Sequence, residues 1–166
     1  MTNSKQEKSA KVIPLRTPNP PKASERKWGK AVMGFGFCIV PSLLLQAQRR
    51  LGLSPTQLAV LMHLADYWWD VDPKPHPSKQ TLGNRLNLSP RQVQRIIAEL
   101  EAADLVQRVE RRAVHKGKLS NFYDLSGLVK RLKELEPEFS KAKKQAKSVR
   151  RAVARPGLRR RTRKAE

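Results

Sequence analysis

The chain has 166 residues, 35 Lys/Arg against 14 Asp/Glu, and a formal net charge of +21. That length holds one modest domain with tails, and a charge of that size points to a polyanionic partner, nucleic acid above all. The single cysteine, Cys38, excludes an intramolecular disulfide, and the longest apolar run, Ala31 to Val40, is too short to span a bilayer.

The charge is unevenly spread. Residues 1–32 carry 8 Lys/Arg and 2 Asp/Glu, a net of +6, and residues 140–166 carry 12 and 1, a net of +11. The middle, 33–139, carries 15 and 11, a net of +4. The reading is therefore a basic, disordered N-terminal tail (1–32), one folded domain (33–139) and a Lys/Arg-rich C-terminal tail (140–166). With no apolar core near the N-terminus to act as a secretory signal, the expected location is the cytoplasm, on the nucleoid.

In chain order, residues 1–30 are polar, basic and interrupted by Pro14, Pro18, Pro20 and Pro21, which predicts disorder. Phe35 to Val40 is read as a short strand. Pro41-Ser42 opens a helix to about Arg50, with Leu43, Leu44 and Leu45 apolar. Ser54 caps a longer helix to about Trp69, whose Leu58, Leu61, Met62, Ala65 and Trp68 share one face, widened by Val60, Leu64 and Trp69. A helix this apolar is expected at the centre of the core. Asp70 to Pro77 is a Pro-rich loop.

Two short helices follow. Ser78 is a good N-cap, and Leu82 and Leu86 lie four residues apart on one face. Asn87 ends this helix, since Asn tolerates the left-handed backbone that a sharp turn needs. Ser89 caps the next helix (90–103), with Pro90 at its first position, Gln92 closing a capping box onto Ser89, and Leu88 and Val93 as a hydrophobic staple. The run Leu53-Ser54-Pro55-Thr56-Gln57-Leu58 echoes Leu88-Ser89-Pro90-Arg91-Gln92-Val93, one capping solution used twice.

The inward face of helix 90–103 is Val93, Ile96, Ile97 and Leu100. At about 100° per residue, Arg91 and Arg95 point directly away from it, with Gln94 on the flank. Glu99 and Glu101 come only in the second half. The N-terminal end is thus basic and amide-rich, and Arg and Gln are the side chains suited to bidentate reading of guanine and adenine. Gln92 is the weaker reader because its amide is needed in the cap.

Leu105 to Val114 is read as a strand, His115 to Lys118 as a hairpin tip turning at Gly117, and Leu119 to Leu125 as the returning strand. Arg108, Arg111, Arg112, His115, Lys116 and Lys118 cluster on and near this hairpin. Ser126 caps a last amphipathic helix with Leu128, Val129, Leu132 and Leu135 on one side, and Pro137 marks its end. That stripe either packs on its own core, the favoured reading, or forms a homodimer through helix 126–136.

The small Gly83, the turn residue Asn87 and the apolar Val93 and Ile96 resemble the helix-turn-helix signature, with Gly83 letting the two helices approach closely. The continuation AADLVQRVERRAVHKGKLSNFYDL resembles the strand, wing and strand of bacterial winged helix-turn-helix domains, of the kind found in transcription regulators and plasmid replication initiators. The resemblance covers roughly 35–135. One departure is Asp104, where the family usually carries Gly; Asp adopts that backbone less readily than Gly but better than most residues.

The resemblance implies a mainly α fold with a small β-hairpin wing, a winged helix-turn-helix flanked by basic disordered tails. It implies double-stranded DNA as the partner. Arg91, Gln94 and Arg95 would make base contacts in the major groove. Ser78, Lys79, Gln80 and Ser89 would hold phosphates beside it, and Arg108, Arg111, Arg112, Lys116 and Lys118 of wing 108–118 would hold the flanking backbone. The leading function is a sequence-specific DNA-binding transcription regulator. One alternative is a plasmid or mobile-element replication initiator binding origin repeats; another is tail-driven, non-specific binding of RNA or nucleoid DNA. No enzyme is expected. His63, Asp66, Asp70, Asp72 and His76 have no recognised metal-ligand spacing, Gly34-Phe35-Gly36 is not followed by a phosphate-loop lysine, and no cofactor is implied.

Overall fold

The computed structural model describes residues 22–111 and 119–154. The chain divides into two compact units, Met1–Phe37 and Cys38–Glu166. In the first, where the sequence predicts disorder to residue 30, two short helices form, α1 (Ala23–Trp28) and α2 (Lys30–Met33). Gly29 joins them at φ 86°, a backbone that Gly adopts without penalty. Lys27 Nζ sits 5.1 Å from the centre of the Trp28 ring.

The expected strand at 35–40 does not form. Gly36 takes φ 98°, which breaks an extended run, and Phe35 and Ile39 are 97% and 73% exposed. The alternating apolar residues of that segment therefore line no sheet.

The second unit contains α3 (Ser42–Gln46), α4 (Pro55–Asp66), α5 (Lys79–Leu86), α6 (Pro90–Ala102), β1 (Gln107–Val109), β2 (Phe122–Asp124) and α7 (Ser126–Val153). The helix expected from Ser42 to Arg50 stops at Gln46, and a turn through Gly52 (φ 67°) leads on to Leu53. Gln48 Nε2 donates to the Leu53 carbonyl and fixes that turn.

α4 carries the capping box expected of Ser54. Gln57 N–H donates to the Ser54 hydroxyl, and Ser54 N–H donates to Gln57 Oε1. It ends at Asp66, three residues short of Trp69, and its buried residues are Val60, Leu61 and Leu64. The buried face is thus turned from the one expected: Met62 and Trp69 are exposed, while Val60 and Leu64 lie at the centre.

α5 and α6 match the sequence reading closely. Ser78 accepts from Thr81 N–H, Asn87 ends α5 at φ 54°, and Ser89 and Gln92 complete a second capping box. Val93, Ile96, Ile97 and Leu100 are all buried. Leu82, with Val60, Leu61 and Leu64 of α4, completes the centre of one core. Burying side chains of this size contributes about 1.5–3 kcal/mol each.

β1 and β2 pair antiparallel with Arg108 opposite Tyr123. They are shorter than the predicted 105–114 and 119–125, because Leu105 and Val106 are spent in the buried turn after α6 and residues 112–118 lie outside the described set. The 70–77 loop is tied to this hairpin. Tyr123 N–H donates to the Pro75 carbonyl at 2.8 Å, Ser120 Oγ donates to the His76 carbonyl at 2.7 Å, and Lys74 pairs with Asp124.

α7 departs most from the sequence reading. Its N-cap is Leu125 rather than Ser126, and the Ser126 N–H is met instead by Asp124 Oδ1 at 2.8 Å. The helix runs through Pro137, its expected end, to Val153. A proline inside a helix removes one hydrogen bond and crowds the carbonyl four residues back. Contacts on both sides keep the helix continuous. Leu128, Leu132 and Leu135 are buried in the core before Pro137, and after it Phe139 packs on that core and Glu138 meets Arg50 at 2.9 Å. The Leu stripe of 126–136 is therefore used within its own chain.

Candidate nucleic-acid interface

The surface that the sequence singles out is built by the start of α6. Pro90 and the Ser89–Gln92 box set where the helix begins, so its first turn is rigid. Val93, Ile96, Ile97 and Leu100 fix its rotation by burying one side, which leaves Arg91, Gln94 and Arg95 exposed on the other. These three lie with Ser89, Gln92 and Ala98 on one open face of the helix. The first turn contains no acidic residue, and the helix macrodipole adds positive potential there.

Gln92, Gln94 and Arg95 each have a definite neighbour. Gln92 Oε1 accepts from both the backbone N–H and the hydroxyl of Ser89, so its amide is committed to the cap as expected. Lys79 Nζ donates to Gln94 Oε1 at 3.0 Å, linking the start of α5 to the exposed face of α6. Arg95 Nε lies 3.8 Å from Glu99 Oε1, and the other Glu99 oxygen accepts from Gln57 Nε2. Both ends of that Arg–Glu pair are exposed, so the pair is weak and Arg95 can exchange it for another acceptor.

Around this face, Ser78 and Lys79 share a groove with Arg108 and Ser120, which brings the start of α5 beside the hairpin. The Ser78 hydroxyl is occupied by Thr81, through its N–H at 2.9 Å and its hydroxyl at 2.8 Å. The Ser89 hydroxyl is occupied by Gln92, and Gln80 Nε2 donates to Asn84 Oδ1. An anion at these two helix starts would therefore meet backbone N–H groups rather than the serine hydroxyls.

Arg108 is drawn inward. Its guanidinium pairs with Glu101 near the end of α6, and its backbone N–H donates to Glu101 Oε1 at 2.8 Å. Arg111 stacks its guanidinium 4.5 Å from the centre of the Phe122 ring, which in turn meets His76 edge-on. Of the expected wing contacts, Arg112, Lys116 and Lys118 lie outside the described residues.

The pairing shifts two carboxylates. The Arg108 guanidinium and N–H hold the Glu101 carboxyl below its ordinary value, and Lys74 with the Ser126 N–H does the same for Asp124. A carboxylate with a lowered folded-state value adds stability above the unfolded value and loses it as pH falls through the folded one. Glu101→Gln should therefore lower the melting temperature at pH 7, and the difference from wild type should shrink below about pH 4.3. Thermal unfolding at pH 7 and pH 3 checks this; an equal difference at both pH values contradicts the assigned pair.

Two structural devices have different visibility in the sequence. Gly83 is legible there as a close-approach glycine, and a Cβ on it would collide with the Leu88 carbonyl. Gly127 is not legible: a Cβ on it would collide with the Asp104 carbonyl, and Leu128 N–H donates to the Leu105 carbonyl beside it. Asp104 holds φ 54°, so the left-handed turn that ends α6 is the surface on which α7 docks.

Among the described residues no group of three or more His, Cys, Asp or Glu is arranged to hold a metal ion, and no helix is long and apolar enough to cross a membrane. No curated protein matches the chain. A solved structure, the N-terminal domain of the DnaD protein from Geobacillus kaustophilus HTA426, is similar at 20% identity and a TM-score of 0.48, over 70% of this chain and 93% of that one. Residues 51–106 match a family model described as a helix-turn-helix domain. That span takes in α4, α5 and α6 and stops where the hairpin begins, so residues 51–106 form a helix-turn-helix domain and the β1–β2 hairpin after it gives the winged helix-turn-helix arrangement.

Proposed function

We propose that this protein binds double-stranded DNA sequence-specifically and acts as a transcription regulator, without catalysing a reaction. α6 enters the major groove, Arg91, Gln94 and Arg95 contact base edges, and Lys79, the N–H groups at the starts of α5 and α6, and the hairpin hold the flanking phosphates. The observation that carries this reading is the exposed Arg91–Gln94–Arg95 face at the capped, acid-free start of a helix whose other side is buried. Base contacts there supply specificity, and phosphate contacts supply register and most of the salt dependence.

The pairing of Arg108 with Glu101 divides the hairpin's work. Arg108 fixes the hairpin to α6, while Arg111 faces the DNA backbone. At the hairpin, nucleic-acid binding by stacking on an aromatic platform finds little support. Tyr123 is buried, and the Phe122 ring is already covered by Arg111.

Selection of bound sequences from a random duplex library is the direct test. The expected result is enrichment of one short motif with a preference of at least about a thousandfold over random DNA. Recovery of sequences without a motif, at a uniform affinity, contradicts the proposal.

A further inference from the structure

The long α7 leaves the domain as a bare helix. From Lys141 to Val153 every residue is exposed, and the segment contains Lys141, Lys143, Lys144, Lys147, Arg150 and Arg151 with no acidic residue. At about 100° per residue, five of these six cations fall within an arc of about 120°, Lys141 being the exception. The opposite side carries Ala142, Val149 and Val153. This half of α7 gains nothing from core packing, and its cations stand as like-charged neighbours at the three- and four-residue spacings (Lys143 and Lys147, Lys147 and Arg151, Lys144 and Lys147), an arrangement that disfavours a solitary helix.

We propose that this projecting half of α7 is a second nucleic-acid contact, a one-sided rail of Lys143, Lys144, Lys147, Arg150 and Arg151 that lies against the phosphate backbone of a DNA duplex. The proposal rests on the DNA-binding reading above. Charge density favours a duplex as the occupant. The five cations span about 12 Å at 1.5 Å per residue, a mean spacing of about 3 Å, and each strand of duplex DNA presents one phosphate per about 3.4 Å of its axis. A membrane surface fits less well, because the opposite face offers Ala and Val where an interfacial helix needs Trp, Phe or Leu. A phosphate array also relieves the repulsion among the cations, so duplex binding and helix order support each other.

The test uses the full chain and two variants that leave the core intact, since all altered positions lie beyond Phe139, the last residue packed on it. In Lys143→Gln/Lys147→Gln/Arg150→Gln three rail charges are removed. In Ala146→Pro the charge is unchanged and the helix is broken. Binding to a selected site and to random duplex is measured across salt concentrations. The triple variant should flatten the salt dependence by about 2–3, at about 0.9 for each phosphate no longer neutralised, with preference for the selected site retained. Ala146→Pro should lose part of the same slope. If the triple variant keeps the wild-type slope, the rail is wrong. If it loses the slope while Ala146→Pro keeps it, the charges act without the helix and the rail is again wrong. Tighter retention of the wild-type chain on phosphatidylserine vesicles than on duplex at equal salt also overturns it. Failure of the wild-type chain to prefer any site refutes instead the reading of α6, and is seen independently of both variants.

Discussion

Gly127→Ala is expected to lower the melting temperature by roughly 5–15 °C, with Gly83→Ala close behind. Intrinsic propensity argues the other way, since alanine is favoured over glycine in a helix interior by up to about 1 kcal/mol. Steric cost decides the sign. At both positions the new Cβ would sit inside contact distance of a backbone carbonyl, that of Asp104 for Gly127 and that of Leu88 for Gly83. A side chain could rotate away; a carbonyl moves only with its element. For Gly127 that means parting α7 from the turn that ends α6, which also disturbs the Leu128 N–H bond to Leu105. For Gly83 it means parting α5 from the turn into α6. Overpacking of this kind costs about 1–3 kcal/mol. Gly52→Ala is the control. It has a positive φ of 67° but nothing within 4 Å of an added Cβ, so only the backbone penalty of about 1–2 kcal/mol applies. Thermal unfolding followed by circular dichroism checks the ranking, and a Gly127→Ala protein as stable as wild type would show that α7 is not seated on Asp104.

The contrast between these two glycines shows what the sequence can and cannot disclose. Gly83 is legible because its partner, Leu88, is five residues away in a motif of fixed spacing. Gly127 meets Asp104 across the hairpin, and no local pattern links them. The same division runs through the fold. The caps at Ser54, Ser78 and Ser89, the left-handed Asn87 and the buried face of α6 are local chemistry, and all are as read. Pro137 misleads because a proline in isolation ends a helix, while here Leu132 and Leu135 on one side and Phe139 and the Arg50–Glu138 pair on the other hold it. The 35–40 segment misleads because alternation alone cannot supply a partner strand, and Gly36 at φ 98° breaks the run. At the candidate interface, the exposure of Arg91, Gln94 and Arg95 follows from periodicity. Their neighbours Lys79, Gln57 and Glu99 do not, since these couplings cross from one helix to another.

Those neighbours sharpen what α6 should read. Arg91→Ala with Arg95→Ala is expected to cost about 1–3 kcal/mol for each base no longer read, a factor of roughly 10–100 per base in site preference, while binding to random DNA weakens far less. Lys79 adds a finer expectation. An ammonium can only donate, so its bond to Gln94 settles the orientation of the amide: Oε1 faces Lys79 and Nε2 is left as the outward donor. A glutamine reading adenine with both atoms needs Oε1 for the N6 amino group and Nε2 for N7. With one lone pair of Oε1 engaged and Nε2 turned outward, Gln94 should lean toward bases that present acceptors in the major groove, guanine or thymine, at its position. Lys79→Met removes the donor and keeps most of the stem, so it should shift preference at that one position toward adenine and remove about one phosphate's worth of salt dependence if the lysine also meets the backbone. Library selection with wild type, Lys79→Met and the double arginine variant measures all three effects together. A Lys79→Met motif identical to wild type would mean that Gln94 is not held by Lys79 on DNA, and a double arginine variant with undiminished site preference would remove Arg91 and Arg95 from the reading surface altogether.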